Sequence, residues 1–243
     1  MTVKTRDLES FNEIAPYYDI FFKGVPGDRR FYVNEALKAR SVLELTCGTG
    51  RITLAIAEKG VKVTGLDVSC EMLSKAMEKA ARKGLDSTRF IKGDMRSFNL
   101  GEKFDLVIIP YNAFLHLITI ADQKKALNNI GKHMTPKGRL IFDVFVPDLR
   151  KITGNHGKKF TTKSTKGIRL TETSYYDTLN QTIKVDSTFN KRKASMTLRY
   201  CFRDELLLLF ETTGFKVESV YGGYRKQKLT EKSKQMVWIL KKK

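Results

Sequence analysis

Three acidic residues each follow a short apolar run of the chain: Glu44, Asp67 and Asp94. The first stands before the small-residue loop Cys47-Gly48-Thr49-Gly50, and a helical pattern begins directly after that loop. In an open parallel sheet, ligands bind beyond the carboxyl ends of the strands. Carboxylates at that edge accept hydrogen bonds from hydroxyl and amino groups and attract cations. We therefore expect the loop and the three carboxylates to form one small-molecule site.

A dinucleotide is the first candidate ligand for this loop. Its fingerprint is Gly-x-Gly-x-x-Gly followed by an acid about 20 residues later for the ribose. Asp67 fits the acid, but Thr53 stands where the third glycine belongs. Glu44 decides between the ligands, because a desolvated carboxylate ~4–6 Å from a pyrophosphate costs roughly a few kcal/mol. The pattern favours a ligand with sulfonium and ammonium charges, as in S-adenosylmethionine.

The elements that must position these residues alternate between short apolar runs and helical periodicity. This alternation is typical of a parallel sheet with helices on both faces. Predicted strands lie at 41–45, 61–66, 88–93, 104–109 and 138–146, and predicted helices at 69–84 and 122–134.

Capping residues mark the ends of the two helices. Ser69 can cap the first, and Gly84 can end it in a left-handed conformation. Asp122 is expected to cap the second, and Pro136-Lys137-Gly138 to end it.

The pattern changes after Pro147. Segments 167–177, 181–190 and 194–202 alternate with period two and predict an antiparallel insertion of about three strands. A helix at 203–215, closing near Gly214, and strands at 216–222 and 235–243 complete the prediction. Residues 1–40 are helical and aromatic and are expected to form a cap.

The predicted fold is α/β: a Rossmann-like, seven-stranded, mostly parallel sheet with helices on both faces, an N-terminal helical cap, and a small antiparallel β insertion before the last helix. We divide the chain into the cap at 1–40, a ligand-binding α/β domain at 41–147 and 201–243, and the insertion at 148–200.

The motifs together resemble a known family. "ELTCGTG" is similar to the (D/E)-x-G-x-G-x-G motif of class I S-adenosylmethionine-dependent methyltransferases, and "GLDVSCEML", "GDMRSF", "FDLVIIP" and "FETTGFKVESVYGGY" follow in the family's order. Within this family, the chain is similar to enzymes that dimethylate amino groups of small molecules, including amino sugars. This resemblance rests on the "YYDIFF" segment, the "HL" after the fourth strand and the late insertion. The resemblance implies a last strand inserted antiparallel.

The resemblance also implies the roles of individual residues around S-adenosylmethionine. Thr46 replaces the family's first glycine, which is tolerable at a negative φ. The methionine and ribose side of the cofactor would be lined by Glu44, Gly48 and Gly50, and its ribose hydroxyls would be held by Asp67. The adenine ring would pack near Val68 and Met72. The adenine amino group would meet Asp94, with the Met95 backbone beside it.

Two residues are candidates on the acceptor side. His116, just after the fourth strand, has an imidazole that can accept a proton near neutral pH. A surface or core histidine is the alternative. Tyr18 could orient the cofactor or an acceptor amine, and packing is the competing role. The resemblance implies that both lie near the acceptor.

The net charge of +19 is uneven along the chain, with +6 in residues 1–150 and +13 in residues 151–243. A lysine-rich solvated surface, an anionic acceptor and RNA all remain open. The segment "IIPYNAF" lacks the polar residue of the (N/D)-P-P-Y motif at Ile109, which argues against methylation of a nucleobase amino group. We therefore place a methyltransferase for a small-molecule nitrogen or oxygen first, an RNA methyltransferase second, and a nucleotide-binding regulator or NAD-dependent oxidoreductase third.

The three cysteines, Cys47, Cys70 and Cys201, lack metal-ligand spacing and are expected to act as small hydrophobes. We predict no metal site, no membrane segment and a cytoplasmic protein, because the start of the chain has no apolar core. The acceptor, the number of methyl groups and the oligomeric state stay open.

Overall fold

The computed structural model describes the backbone of residues 5–243 and the side chains of residues 10–243. Residues 1–4 of the predicted cap lie outside the described residues. The strands form a seven-stranded and a four-stranded sheet. They are β1 (Ser41–Leu45), β2 (Lys62–Asp67), β3 (Arg89–Lys92), β4 (Phe104–Ile109), β5 (Met134–Phe145), β6 (Lys159–Lys163), β7 (Arg169–Asp177), β8 (Thr182–Phe189), β9 (Arg192–Arg199), β10 (Phe215–Tyr221) and β11 (Gln235–Lys242).

The large sheet has the order β10-β11-β5-β4-β1-β2-β3. Neighbouring strands from β5 to β3 run parallel, whereas β11 is antiparallel to both β5 and β10. The predicted seven-stranded sheet with an antiparallel last strand is confirmed. The carboxyl ends of β1, β2 and β4 therefore meet at one edge, where the chain has its acidic residues.

Helices cover both faces of this sheet because the side chains of each strand alternate between two cores. Val42 and Ile108 pack into one core with the helices at 28–36 and 53–57, while Leu43 and Val107 pack into the other with the helices at 120–132 and 203–212. The helices are α1 (Thr5–Ile14), α2 (Tyr18–Phe21), α3 (Asp28–Ala36), α4 (Thr53–Ala57), α5 (Cys70–Arg82), α6 (Ile120–Lys132), α7 (Leu149–Gly154) and α8 (Arg203–Thr212), with a 3₁₀ turn at Ala113–His116.

The insertion is a four-stranded antiparallel sheet, β6-β7-β8-β9, and not the three strands predicted. The additional strand is β6, whose residues are all exposed. It has no apolar alternation, and this is why the sequence pattern did not reveal it. The inserted sheet packs on the N-terminal helices, with Tyr17 stacked on Phe189 at 5.3 Å between ring centroids. The domain boundaries remain a prediction.

The residues that begin and end helix α5 are those predicted. The Ser69 hydroxyl accepts a hydrogen bond from the Met72 N–H at 3.1 Å, and Gly84 follows the helix with φ +65°.

The limits predicted for α6 are wrong at both ends. Thr119, not Asp122, is the cap: its hydroxyl accepts a hydrogen bond from the Asp122 N–H at 3.0 Å. The helix ends at Lys132, and residues 135–138 belong to β5. Pro136 is tolerated there because the β4–β5 register is irregular between the Phe104 and Leu106 pairs.

Candidate active site

A cavity of about 320 Å³ lies at the carboxyl edge of the large sheet, beneath the N-terminal helices and the inserted sheet. Its volume is in the range of small-molecule sites. Every predicted site residue except Gly50 lines it. The predicted residues in its wall are Tyr18, Glu44, Gly48, Asp67, Val68, Met72, Asp94, Met95 and His116.

The two loop glycines serve different purposes. Gly48 has φ +54° and faces the cavity, where a side chain would add bulk near Tyr18. Gly50 has φ +78°, and a Cβ there would lie 3.1 Å from the Ala76 Cβ and 3.2 Å from Leu54. Gly50 therefore allows α4 and α5 to pack closely against the loop.

The backbone conformation of Thr46 differs from the one expected from the sequence. Its φ is +58°, in the left-handed region, whereas the sequence interpretation required a negative φ. A residue with a Cβ is strained there by about 1–2 kcal/mol. The Thr46 hydroxyl donates a hydrogen bond to the Leu45 carbonyl, which offsets part of this cost. Thr46 also lines the cavity.

Glu44 is buried at the end of β1 and accepts a hydrogen bond from the Thr53 hydroxyl. Burial raises the pKa of Glu44 to about 8, although the bond from Thr53 and the charge of Arg51 oppose the rise. The negative charge assumed for Glu44 from the sequence is therefore not fixed. In the free protein near neutral pH this side chain is largely protonated, and a cation beside it would favour loss of the proton.

Asp67 is buried at the end of β2 and is held by backbone donors. Its Oδ2 accepts from the Gly48 N–H at 2.8 Å, and its Oδ1 accepts from the Ser69 N–H at 2.9 Å. Burial raises the pKa of Asp67 above its ordinary value, and these backbone bonds oppose the rise. Each oxygen keeps a lone pair for a ligand hydroxyl.

Asp94 is already paired within the protein. Both of its oxygens accept from the Arg96 guanidinium, at 3.0 Å from Nε, and the Arg96 N–H also donates to Oδ1 at 2.8 Å. Burial raises the pKa of Asp94, but these bonds outweigh it and hold the pKa below its ordinary value. Arg96 reaches Asp122 at 3.2 Å as well, which ties this corner to α6. Asp94 therefore presents a charge-compensated carboxylate to the cavity.

Met72 and its neighbours give the site an apolar floor. Met72 is 1% exposed and packs in the core beneath the N-terminal helices, yet it also lines the cavity. Val68 and Met95 lie in the same wall. Packing in the core and contact with a ligand are thus compatible for Met72 in this structure.

The contacts of the loop after β4 with Asp143 were not identified from the sequence. Tyr111 and Asn112 both line the cavity with positive φ, +63° and +61°. The Asp143 carboxylate accepts hydrogen bonds from both backbone N–H groups at 2.9 Å. The Tyr32 hydroxyl donates to the same carboxylate at 2.5 Å. An acid inside the apolar run "LIFDVFV" was the available signal, because a buried carboxylate requires donors.

Asn112 adds an observation that bears on a ligand. Its side-chain oxygen is buried and has no hydrogen-bond partner among the residues whose side chains are described, although the residue lines the cavity. An unsatisfied buried acceptor at a cavity wall suits a ligand donor such as a hydroxyl or amino group. Together with the open lone pairs of Asp67, this wall fits a cofactor with ribose and amino groups.

His116 lies at the end of the 3₁₀ turn and lines the cavity, with the Phe11 ring edge-on at 5.1 Å. Burial lowers the pKa of His116 to about 4, although a hydrogen bond with the Thr197 backbone opposes the change. The pKa of His116 therefore lies below the 6.5 of an ordinary imidazole. The imidazole is neutral at pH 7 and can accept a proton, but it is a weaker base than an exposed histidine.

Tyr18 lines the cavity beside a network that joins the N-terminal helices to the glycine loop. Burial raises the pKa of Tyr18, so its hydroxyl stays protonated. The neighbouring Asp19 accepts from the Thr49 hydroxyl at 2.5 Å. Arg51, which sequence reasoning missed, pairs with Asp28 through two bonds of 2.9 and 2.7 Å. The cap is thereby fixed onto the loop.

Comparison with known proteins identifies this arrangement. Residues 42–138 match the family described as a methyltransferase domain. Over this segment the chain is similar to methyltransferase domains, which agrees with the resemblance of its motifs to class I S-adenosylmethionine-dependent methyltransferases. The structure of the CcbJ methyltransferase from Streptomyces caelestis shares its fold, with a TM-score of 0.86, 24% identity, and coverage of 96% of this chain and 97% of that one.

Two curated relatives extend the comparison. The chain is 25% identical over 213 residues to a cypemycin N-terminal methyltransferase of Streptomyces sp, covering 84% of each chain. It is 31% identical over 142 residues to a dTDP-3-amino-3,6-dideoxy-alpha-D-glucopyranose N,N-dimethyltransferase of Streptomyces fradiae, covering 54% of this chain and 52% of that enzyme. The chain spans about half the length of most curated relatives that it matches.

Two further features concern metals and membranes. Within the described residues, no group of three or more His, Cys, Asp or Glu side chains is arranged to hold a metal ion. No helix in the described part of the chain has the length and apolarity needed to cross a membrane. Cys47 and Cys201 are buried as expected for small hydrophobes, whereas Cys70 is exposed at the start of α5.

Proposed function

We propose that the protein transfers a methyl group from S-adenosylmethionine to the amino nitrogen of a small molecule. The observation that carries this proposal is a single cavity that joins the carboxylates at the ends of β1 and β2 to His116 and the inserted sheet. The two relatives support an amino acceptor, because one acts on an N-terminus and the other on an amino sugar.

The cofactor side of the cavity is formed by the ends of β1, β2 and β3. Asp67 would accept hydrogen bonds from the ribose hydroxyls, since its oxygens are oriented by the Gly48 and Ser69 amides. Glu44 would face the methionine part, and Asp94 and the Met95 backbone the adenine amino group. When bound, S-adenosylmethionine supplies a methyl group activated by a positively charged sulfur, which the acceptor nitrogen takes as the carbon–sulfur bond breaks.

The acceptor side is formed by the 3₁₀ turn, the cap and the inserted sheet. Holding an acceptor in line with the methyl group accounts for most of the rate, up to ~7–11 kcal/mol of the barrier. Tyr18 donates its hydroxyl proton to orient an amine or the cofactor. His116, neutral at pH 7, accepts the proton that the methylated nitrogen releases.

The basic excess of residues 151–243 is the observation that favours RNA as a second candidate. Many of these side chains lie on exposed positions of the insertion, for example Lys159, Lys163, Lys191 and Lys193. None of these four lines the cavity. An RNA enzyme would lose affinity for bulk tRNA steeply between about 50 and 200 mM salt. Salt-independent or absent binding at low salt removes this candidate.

Calorimetry tests the cofactor, and labelled transfer tests the reaction. The protein should bind S-adenosylmethionine and S-adenosylhomocysteine at micromolar concentration and should not bind NADH. Isotope-labelled S-adenosylmethionine, incubated with amino sugars and peptides bearing a free N-terminus, should give labelled amines detected by mass spectrometry. Binding of NADH alone would overturn the proposal in favour of an oxidoreductase.

A further inference from the structure

The inserted sheet contributes one charged residue to the cavity wall. Strand side chains alternate, so one face of β7 presents Leu170, Glu172, Ser174 and Tyr176. Leu170 and Tyr176 belong to apolar clusters beneath the sheet. Glu172 lies between them and lines the cavity. The neighbouring inner-face positions that also line the cavity are Val185, Met196 and Leu198.

Glu172 has a neutral hydrogen-bond partner and no cationic one. The Ser187 hydroxyl donates to its Oε1 at 3.4 Å. Among residues 10–243, no lysine or arginine forms an ion pair with it. Burial raises the pKa of Glu172 above its ordinary value, and the Ser187 bond only partly opposes this. A carboxylate in an apolar wall is costly unless a cation approaches it.

The cationic residues of the cavity wall are already paired with other carboxylates. Its two cationic residues, Arg51 and Arg96, are both engaged, with Asp28 and Asp94 respectively. Among residues 10–243, Glu172 therefore faces the cavity with no lysine or arginine free to neutralise it. The exposed lysines of the insertion point to the outside and do not offset it. An anionic acceptor, left open by the charge of the sequence, is disfavoured in this wall.

We propose that Glu172 is the residue that selects the acceptor, by binding the ammonium form of a small amine. This inference rests on the proposed function and names the charge of its substrate. A charge-assisted hydrogen bond to the carboxylate fixes the nitrogen on the insertion side of the cavity, opposite the carboxylates of β1 and β2. Before attack, the ammonium would give up one proton to water, and the freed lone pair would form the new nitrogen–carbon bond as the carbon–sulfur bond of S-adenosylmethionine breaks.

Matched probes of equal shape test this selection. Cyclohexylamine is protonated at pH 7, whereas cyclohexanol is neutral. We expect the wild-type protein, saturated with S-adenosylhomocysteine, to bind cyclohexylammonium at least about tenfold more tightly, as one charged hydrogen bond allows. Glu172→Gln should reduce that ratio to below about twofold, with the affinities for cyclohexanol and S-adenosylhomocysteine unchanged.

Two further variants make the outcome decisive. Glu172→Asp keeps the charge on a shorter side chain. It should retain part of the preference for the ammonium probe, although the longer distance from the carboxylate to the ammonium weakens the interaction. Glu231→Gln removes one negative charge from an exposed position outside the cavity and should leave the ratio unchanged. A Glu172→Gln protein that still binds S-adenosylhomocysteine and still prefers the ammonium probe overturns the inference, as does a wild-type protein that binds neither probe or both equally. Failure of the wild-type protein to bind S-adenosylhomocysteine overturns the proposed function itself.

Discussion

The Gly48 backbone N–H donates a 2.8 Å hydrogen bond to Asp67, so the glycine loop after β1 is fastened to the end of β2. The two residues are 19 positions apart in sequence and adjacent in the sheet. The same carboxylate that would bind the ribose thus also shapes the loop. Binding affinity and loop geometry should therefore change together when Asp67 is replaced.

Asp67→Ala is expected to weaken S-adenosylhomocysteine binding by roughly 1.5–3 kcal/mol, because hydrogen bonds to a charged group are lost. Isothermal titration calorimetry measures the change. Asp86→Ala, at an exposed position beyond the far end of α5, is the control and should bind like the wild type. An Asp67→Ala protein with wild-type affinity would show that β2 does not hold the ribose.

Glu44 should release a proton when a cationic cofactor binds. Its pKa of about 8 in the free protein means that the carboxyl is mostly protonated at pH 7, and a nearby sulfonium lowers that pKa. The binding enthalpy of S-adenosylmethionine at pH 7 should therefore vary with the ionisation enthalpy of the buffer. Glu44→Gln should remove the part of this variation that comes from Glu44. Equal variation in both proteins would exclude Glu44 as the source.

The same pKa predicts how stability depends on pH. The folded pKa of about 8 exceeds the ordinary value of 4.5, so the folded state holds a proton that the unfolded state has lost. The contribution of Glu44 is therefore complete below pH 4.5 and is lost as the pH rises towards 8. Denaturant unfolding at pH 5, 6, 7 and 8 should show a shallower decline for Glu44→Gln than for the wild type.

His116 should stay neutral over the range in which most histidines titrate. With its pKa lowered to about 4, its NMR signals should not shift between pH 7.5 and 5.5. Its contribution to stability is present above pH 6.5 and is lost as the pH falls towards 4. His116→Ala provides the assignment, and it should reduce turnover more than cofactor affinity if the residue accepts the proton. A titration midpoint near 6.5 would contradict the buried environment described for this ring.

Thr46→Gly should stabilise the free protein by about 0.5–1 kcal/mol, because glycine adopts φ +58° without strain but gains entropy in the unfolded chain. Chemical denaturation measures the free energy of unfolding. Thr46→Ala is the matched comparison, since it keeps the strain and loses the hydroxyl bond to Leu45. It should be less stable than the wild type. A Thr46→Gly protein less stable than Thr46→Ala would mean that the relief of backbone strain is smaller than the entropy that glycine gains in the unfolded chain.

The large sheet could be predicted from sequence because its strands are short, buried and nearly continuous in apolar residues. The limits predicted for β4, 104–109, are those observed. The prediction missed β6 because a fully exposed strand leaves no apolar pattern. It misplaced the start of α6 because the apolar pair Ile120-Ala121 concealed Thr119 as the cap.

The residues of the candidate site could likewise be predicted only in part from the sequence. Glu44 and Asp67 could be found because each follows a strand, and the sheet geometry then places them together. Asp143 stood out as an acid in an apolar run, but its contacts with the loop after β4 could not be predicted, and neither could the place of Glu172 in a cavity formed by distant segments. The pKa changes of Glu44 and His116 were likewise invisible, because burial is a property of the folded chain.

The position of β11 in the sheet has a consequence for how the protein is made. β11 separates β5 from β10, and its Trp238 is fully buried between them. A ribosome has therefore already produced β10 before the strand that joins it to the rest of the sheet exists. Until residues 235–242 emerge, the unpaired edges of β5 and β10 are open to pairing with other chains. Newly made protein should depend most on chaperones until β11 has paired with both strands.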